Sequence, residues 1–268
     1  MRIPRHVPAS CVLILVLTIA GAQSVHAANW ANTIALTVFN DRLFTVEKNG
    51  ALYSTDLASG RWSQIGKHEF ASTKFMFAGS THLYTIESTG SLYRVNSTTG
   101  AWIRVGKAGE WKNTLSMATI GDRLFTLEST GILYETNLGS GAWKRIGKAD
   151  FARTKYFFAS ANALFSIEHD GNLYRISPED GAWRRVGKPG DWVNTKNGTM
   201  LRGKLYTVES SGAMFETDPL TGVWRQIGKT EFGQTKFIFG AGRSIYTIEH
   251  NGRLYRVNPT DGSWAEVS

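Results

Sequence analysis

Residues 83–93 read LYTIESTGSLY, and five close variants of this segment recur along the 268-residue chain. The variants are LFTVEKNGALY (43–53), LFTLESTGILY (124–134), LFSIEHDGNLY (164–174), LYTVESSGAMF (205–215) and IYTIEHNGRLY (245–255). Their shared glycine falls at positions 50, 90, 131, 171, 212 and 252, so the step alternates between 40 and 41 residues. A fixed period of this length indicates a repeat protein. The repeats occupy about residues 29–67, 68–107, 108–148, 149–188, 189–229 and 230–268.

Each repeat has the length and the turn residues of four short strands. In the second repeat the pattern predicts strands at Thr73–Ala78, Leu83–Glu87, Ser91–Val95 and Ala101–Val105, separated by turns rich in Gly, Ser and Thr. Dipeptides such as Asn49-Gly50 favour tight hairpins. Composition agrees, because 28 glycines and 12% aromatic residues disfavour a helical bundle, and 19% charged residues disfavour disorder and coiled coils. Each repeat is therefore predicted to be an antiparallel meander.

The arrangement predicted for these meanders is an all-β, six-bladed β-propeller with four antiparallel strands per blade. Six small sheets must stack face to face, and radial closure protects most of their edges. A second period of 81 residues makes three two-blade units. Odd repeats open with Trp-x-Asn-Thr and even repeats with Phe-x-x-Thr-Lys, and large rings such as Phe75 and Phe77 alternate with small side chains such as Ala35. An open β-solenoid is disfavoured because its turns are shorter than 40 residues.

The first 27 residues have the pattern of a cleaved secretory signal. Arg2 and Arg5 precede the apolar run Cys11–Ala20, and Ala27 ends a segment of small residues suited to cleavage. The run is shorter than the roughly 20 residues that span a bilayer, so a retained anchor is disfavoured. We expect a secreted or periplasmic protein with a domain over 28–268. Cys11 is the only cysteine, so no disulfide is expected in that domain.

A tryptophan occupies the start of the fourth strand in every repeat. Its size and regular recurrence predict an inter-blade core residue, with contact to a ligand as the alternative. These residues are Trp62, Trp102, Trp143, Trp183, Trp224 and Trp264.

The turn between the second and third strands and the connection to the next repeat should lie on one rim, which would then carry carboxylates, ammonium groups and aromatic rings. One interpretation is structural: the charges pair and the rings close the core. The other is a set of sugar pockets, because a pyranose offers an apolar face to a tryptophan and hydroxyls to amides and carboxylates. Trp30, Trp111 and Trp192 would be the stacking platforms. The candidate ligand-binding residues are Trp30, Asn32, Trp111, Asn113, Trp192, Asn194, Glu47, Glu128, Glu209, Lys107 and Lys188.

The pattern Leu-Tyr-Thr-x-Glu-x-x-Gly-x-Leu-Tyr, followed by Gly-x-Trp-x-x-Ile-Gly, resembles the tectonin and tachylectin-2 type of β-propeller repeat. The resemblance extends from about residue 29 to 268. It implies a four-stranded blade and carbohydrate binding at sites repeated around the propeller. Tachylectin-2 has five somewhat longer blades, so its pocket residues are not transferred to this chain.

The function expected is that of a monomeric lectin whose partners are cell-surface or extracellular glycans. The alternative is a protein-interaction scaffold that uses the same face. Enzymatic activity is not expected, because nearly every polar residue recurs with the repeat and no Gly-rich phosphate loop or nucleophile elbow occurs. His169 and His250 lie two blades apart, which disfavours a shared metal. No cofactor, nucleic acid or membrane span is expected, although the formal net charge is +8.

Overall fold

The computed structural model describes residues 28–160 and 162–267, which form 24 strands in six separate four-stranded sheets. Every sheet is an antiparallel meander of four consecutive strands, and the sheets form a six-bladed β-propeller. The predicted fold class is confirmed. The predicted signal segment, residues 1–27, lies outside the described residues. No helix long and apolar enough to cross a lipid bilayer occurs in the part of the chain that is described.

The four strands of each blade are called a, b, c and d in chain order. The a strands of neighbouring blades contact one another, so strand a lies nearest the axis and strand d is outermost. Blade 1 comprises β1 (Thr33–Phe39), β2 (Arg42–Glu47), β3 (Leu52–Asp56) and β4 (Trp62–Ile65), and blade 2 comprises β5 (Thr73–Ala78), β6 (Leu83–Glu87), β7 (Leu92–Val95) and β8 (Trp102–Val105). Blade 3 comprises β9 (Thr114–Ile120), β10 (Arg123–Glu128), β11 (Leu133–Asn137) and β12 (Trp143–Ile146), and blade 4 comprises β13 (Thr154–Ser160), β14 (Ala163–Glu168), β15 (Leu173–Ile176) and β16 (Trp183–Val186). Blade 5 comprises β17 (Thr195–Leu201), β18 (Lys204–Glu209), β19 (Met214–Thr217) and β20 (Trp224–Ile227), and blade 6 comprises β21 (Thr235–Ala241), β22 (Ser244–Glu249), β23 (Leu254–Val257) and β24 (Trp264–Glu266).

The strands predicted for the second repeat agree closely with those of blade 2. Strands β5 and β6 have the predicted bounds, while β7 and β8 each begin one residue later than predicted, at Leu92 and Trp102. Glycine and aromatic spacing therefore locates individual strands in this chain.

The hydrophobic core consists of six clusters, and each cluster joins two neighbouring blades. One cluster, for example, joins Phe77 and Leu92 of blade 2 to Trp111 and Leu124 of blade 3. The predicted packing of large rings against small side chains is present, since a Cβ placed on Gly198 of blade 5 would lie 3.0 Å from the ring of Phe158 in blade 4. Stability thus comes from the joints between blades, because a single meander cannot bury both of its faces.

The glycine of the repeated segment explains why the b–c turn is so constant. Gly90 has φ +82°, a left-handed conformation that glycine adopts without steric cost. Its carbonyl accepts the backbone N–H of Trp111 at 3.0 Å, and a Cβ at this position would lie 2.3 Å from the backbone nitrogen of Lys112. The turn of one blade is therefore packed against the backbone that leads into the next.

Blade 6 closes the ring against blade 1 through the same kind of contact. The backbone N–H of Trp30 donates to the carbonyl of Gly252 at 2.9 Å. The ammonium group of Lys236 adds hydrogen bonds to the carbonyls of Ala31 and Thr33, at 2.9 and 2.7 Å.

Candidate functional site

The two sets of tryptophans have the opposite burial to that predicted. The rings of Trp30, Trp111 and Trp192 are only 2% exposed, whereas five of the strand-d tryptophans are 45–50% exposed. The prediction that strand d supplies the inter-blade core is therefore wrong for Trp102, Trp143, Trp183, Trp224 and Trp264. The physical reason is that strand d is the outer edge of its sheet, whereas the aromatic residue before strand a lies between two blades.

Each of the five exposed indoles is held by a carboxylate from the connection that precedes its own blade. Trp143 Nε1, for example, donates to Glu110 Oε1 at 3.1 Å. We call the five carboxylate residues the acceptor acids, and the donor–acceptor distances range from 3.0 to 3.2 Å. The pairs are Trp102–Glu69, Trp143–Glu110, Trp183–Asp150, Trp224–Asp191 and Trp264–Glu231.

The same five indoles meet a strand-c aromatic ring edge to face. The ring centroids are 4.8–5.2 Å apart and the planes are inclined by 75–90°. Register explains the contact in blade 3, where Thr136 on strand c pairs with Trp143 and Tyr134 lies two residues earlier on the same face. Each exposed indole is consequently fixed at both its nitrogen and its ring.

Open cavities lie beside these indoles in four blades. Their volumes are about 250 Å³ in blade 3, 220 Å³ in blade 5, 180 Å³ in blade 6 and 140 Å³ in blade 4. Each is lined by the acceptor acid, the buried aromatic residue next to it, the glutamate at the end of strand b and the exposed tryptophan. The blade 3 and blade 5 cavities also share an asparagine, Asn113 or Asn194.

The glutamate at the end of strand b is buried in most blades, so it is not the exposed rim carboxylate expected from the sequence. Glu209 is 9% exposed and accepts a hydrogen bond from the hydroxyl of Thr195 at 2.8 Å. Burial raises the pKa of the Glu209 carboxyl above its usual value, and the Thr195 hydrogen bond opposes that rise. Glu128 shows the same two effects in blade 3, with Thr114 as the donor at 2.6 Å.

Threonine residues form part of the inner walls of the cavities. Thr207 and Thr217 lie in the blade 5 cavity, and Thr247 lies in the blade 6 cavity. The hydroxyls of Thr207 and Thr247 face the carboxylates of Glu209 and Glu249 and oppose the rise in the pKa of those groups. These buried hydroxyls therefore support the glutamates at the end of strand b.

The predicted site residues separate into three groups. Trp111, Asn113 and Glu128 line the blade 3 cavity, and Trp192, Asn194 and Glu209 line the blade 5 cavity, but the two tryptophan rings are too deeply buried to offer a face for stacking.

In blade 1, Trp30 and Glu47 are buried, with the ring of Trp62 5.7 Å from that of Trp30, while the side chain of Asn32 is exposed. Lys107 and Lys188 are exposed and contribute to none of the four cavity walls.

Sequence reasoning missed the exposed tryptophans and the acceptor acids as parts of one site. Each acid lies 33 residues before its tryptophan, and this constant separation is the signal that could have paired them. No group of three or more His, Cys, Asp or Glu side chains suited to a metal ion occurs within residues 28–160 and 162–267.

Comparison with solved structures reveals likeness in fold. The structure of YCF48 bound to D1 peptide matches with a TM-score of 0.60 at 16% identity, covering 86% of this chain and 79% of that chain. PorZ, described as an essential surface component of the type-IX secretion system of Porphyromonas gingivalis, matches at 0.59 and 12% identity, covering 90% of this chain but 33% of PorZ.

A protein of unknown function from Bacteroides thetaiotaomicron matches at 0.63 and 12% identity, covering 85% of this chain and 70% of that chain. The shared feature is the β-propeller. Identities this low extend the likeness no further than the fold. No protein-family model matches the chain, and no curated protein matches it in sequence.

Proposed function

We propose that this chain is an exported carbohydrate-binding protein that holds glycans in the cavities beside the exposed tryptophans of its blades. The observation that carries the proposal is the combination, in one cavity, of an exposed indole and polar side chains that can exchange hydrogen bonds with a ligand. The indole of Trp224 is 47% exposed, and Asp191 and Asn194 line the same cavity. A pyranose matches this pairing, because its apolar face packs on an indole while its hydroxyls donate and accept hydrogen bonds.

Cavity size supports a small ligand unit. At about 140–250 Å³, the four cavities are smaller than the roughly 300–1,000 Å³ of pockets that hold drug-sized molecules. One sugar unit per cavity is the corresponding expectation. The protein would then bind as a monomer without enzymatic activity.

Repetition of the site supports a multivalent mode of binding. The cavities of blades 3 and 5 have the same residue type at six equivalent lining positions, including the exposed Trp143 and Trp224. Linked equivalent sites strengthen binding to a dense glycan surface without new contacts, because the second binding event is intramolecular. Weak affinity per site is therefore compatible with tight attachment to a cell surface or a polysaccharide.

A glycan array with the purified protein tests the proposal. We expect binding to a restricted set of glycans, and we expect the Trp143→Ala, Trp224→Ala double variant to lose most of it. Val223→Ala is the matched control, because Val223 is 72% exposed and adjoins Trp224 in the chain. Absence of glycan binding by the folded protein would overturn the proposal. If the control variant also lost binding, the loss could not be assigned to the cavities, and the proposed location of the glycan sites would be wrong.

The second candidate is a protein-interaction scaffold. It is favoured by one observation, namely that the YCF48 structure, which shares the fold, is described as bound to a peptide. Stoichiometry separates the two functions. A glycan-binding protein takes up several sugars per chain, whereas a scaffold of this size would bind one partner across a broad face.

A further inference from the structure

Blade 1 departs from the other five blades in the orientation of its strand-d tryptophan. Trp62 lies nearly parallel to Tyr53, with an interplanar angle of 19° and ring centroids 4.3 Å apart. The other five tryptophans are inclined to their neighbours by 75–90°. Trp62 is also half-buried, because its ring packs beside Trp30 at 5.7 Å. In blade 1 the indole therefore lies flat against Tyr53, whereas the inclined indoles of blades 3–6 stand beside open cavities.

The residue that changes together with the ring orientation is the acceptor acid. Every acceptor acid immediately precedes the buried aromatic residue, and in blade 1 that position is Asn29. The side-chain oxygen of Asn29 accepts the backbone N–H of Ala31 at 2.9 Å instead of an indole. A carboxylate is a stronger acceptor than an amide oxygen, so an indole is held less firmly beside asparagine.

Two other residues beside Trp62 do not account for the difference. Trp30 cannot be the cause, because Trp111 and Trp192 occupy the same position beside indoles that are inclined. Gln64 cannot be the cause either, because blade 5 has Gln226 at that position. Stacked and edge-to-face aromatic pairs are close in energy, so one charged hydrogen bond is sufficient to choose between them.

We infer that the acceptor acids are positioning residues that hold their tryptophans edge to face and, in blades 3–6, keep the cavities open, and that the blade 1 site is closed by Trp62. The inference rests on the proposed function, since it states which blades can hold a glycan. The ring orientation itself can be tested without any sugar.

The experiment is a reciprocal exchange between an acid and its isosteric amide. Asn29→Asp supplies the missing carboxylate in blade 1, and Asp191→Asn removes it from blade 5. Crystal structures of the purified variants report the ring angles, and the indole N–H resonances in NMR spectra report the change in solution. Asp261→Asn is the control, because this exposed acid bonds Ser263 in a c–d turn and no tryptophan.

We expect Asn29→Asp to move the Tyr53–Trp62 angle from 19° into the range of 75–90°. Asp191→Asn should bring Trp224 from 89° towards a parallel position on Phe215, since the carboxylate that accepts the indole N–H at 3.0 Å is replaced by a weaker acceptor. Unchanged angles in both variants would overturn the inference, as would similar movements in the control.

Binding of methyl glycosides of common hexoses and N-acetylhexosamines then counts the sites. Relative to the unmodified protein, one more site per chain is expected in Asn29→Asp and one fewer in Asp191→Asn. If the rings move as expected but none of these probes binds any variant, the positioning role is supported while the glycan function is not. An unchanged number of bound sugars after the rings have moved would refute the link between ring orientation and site opening.

Discussion

Replacing a buried and an exposed tryptophan of the same blade would test which set forms the core. Trp111 is 2% exposed and packs among Phe77, Leu92 and Leu124. Removing a buried tryptophan side chain lowers the free energy of unfolding by about 3–5 kcal/mol, because apolar contact is lost and a cavity remains. At about 2–4 °C per kcal/mol for a chain of this size, Trp111→Ala should melt roughly 10 °C lower.

Trp143→Ala should lower the free energy of unfolding much less than Trp111→Ala does. The side chain is 50% exposed, and the substitution removes one edge-to-face contact with Tyr134 and one hydrogen bond to Glu110, whose carboxylate regains water. The expected loss is about 1 kcal/mol. Equilibrium unfolding in urea, followed by circular dichroism, measures both values, with exposed Leu115→Ala as the control. Equal losses for the two variants, or a larger loss for Trp143→Ala, would refute the assignment of Trp111 to the core.

Three further pairs of measurements follow from the joints and the cavities. Gly90→Ala should lower the free energy of unfolding by about 2–5 kcal/mol, because the alanine is strained in a left-handed conformation and overpacks its neighbours. Gly203→Ala should lower it by only about 1–2 kcal/mol, because Gly203 has φ +77° but open space around it. Equal losses in urea unfolding would contradict the packing argument.

Because the pKa of Glu209 is raised in the folded protein, the folded state holds this proton more tightly than the unfolded state does. The free energy of unfolding should therefore fall as the pH rises from 4.5 through that raised pKa. Glu209→Gln should reduce this fall, and an unchanged pH profile in the variant would refute the effect.

Thr217→Val, which removes a buried hydroxyl without a partner among the described residues, should leave the protein equally or more stable. Thr195→Val should lower the free energy of unfolding by about 1–3 kcal/mol, because Glu209 loses a buried donor. The reverse order in urea unfolding would contradict both assignments.

The repeat period was sufficient to predict the architecture because each blade is determined by local signals. The left-handed Gly90 fixes a turn, and alternating residues fix the strands on either side, as in β6 at Leu83–Glu87. Neither signal depends on contacts that are distant in the sequence. The blade number then follows from counting the repeats.

The site was harder to predict because burial at the ends of a strand depends on which neighbour covers it. Trp111 and Trp143 are both large, regularly repeated and flanked by polar residues, so pattern alone does not separate core from cavity. What separates them is the radial position of strand d and the carboxylate of Glu110, which lies 33 residues away in the chain. The asparagines Asn113 and Asn194 were found because they are short-range neighbours of a buried ring.

The described propeller is a split ring. Five of its six blade-to-blade joints contain a covalent connection, but the seam between blades 6 and 1 depends on non-covalent contacts, including the hydrogen bonds from Trp30 to Gly252 and from Lys236 to Thr33. Mechanical or thermal opening should therefore begin at this seam, with early amide exchange at Trp30. Because every blade is one continuous stretch, moving the chain ends to another joint would relocate the seam and leave each sheet intact.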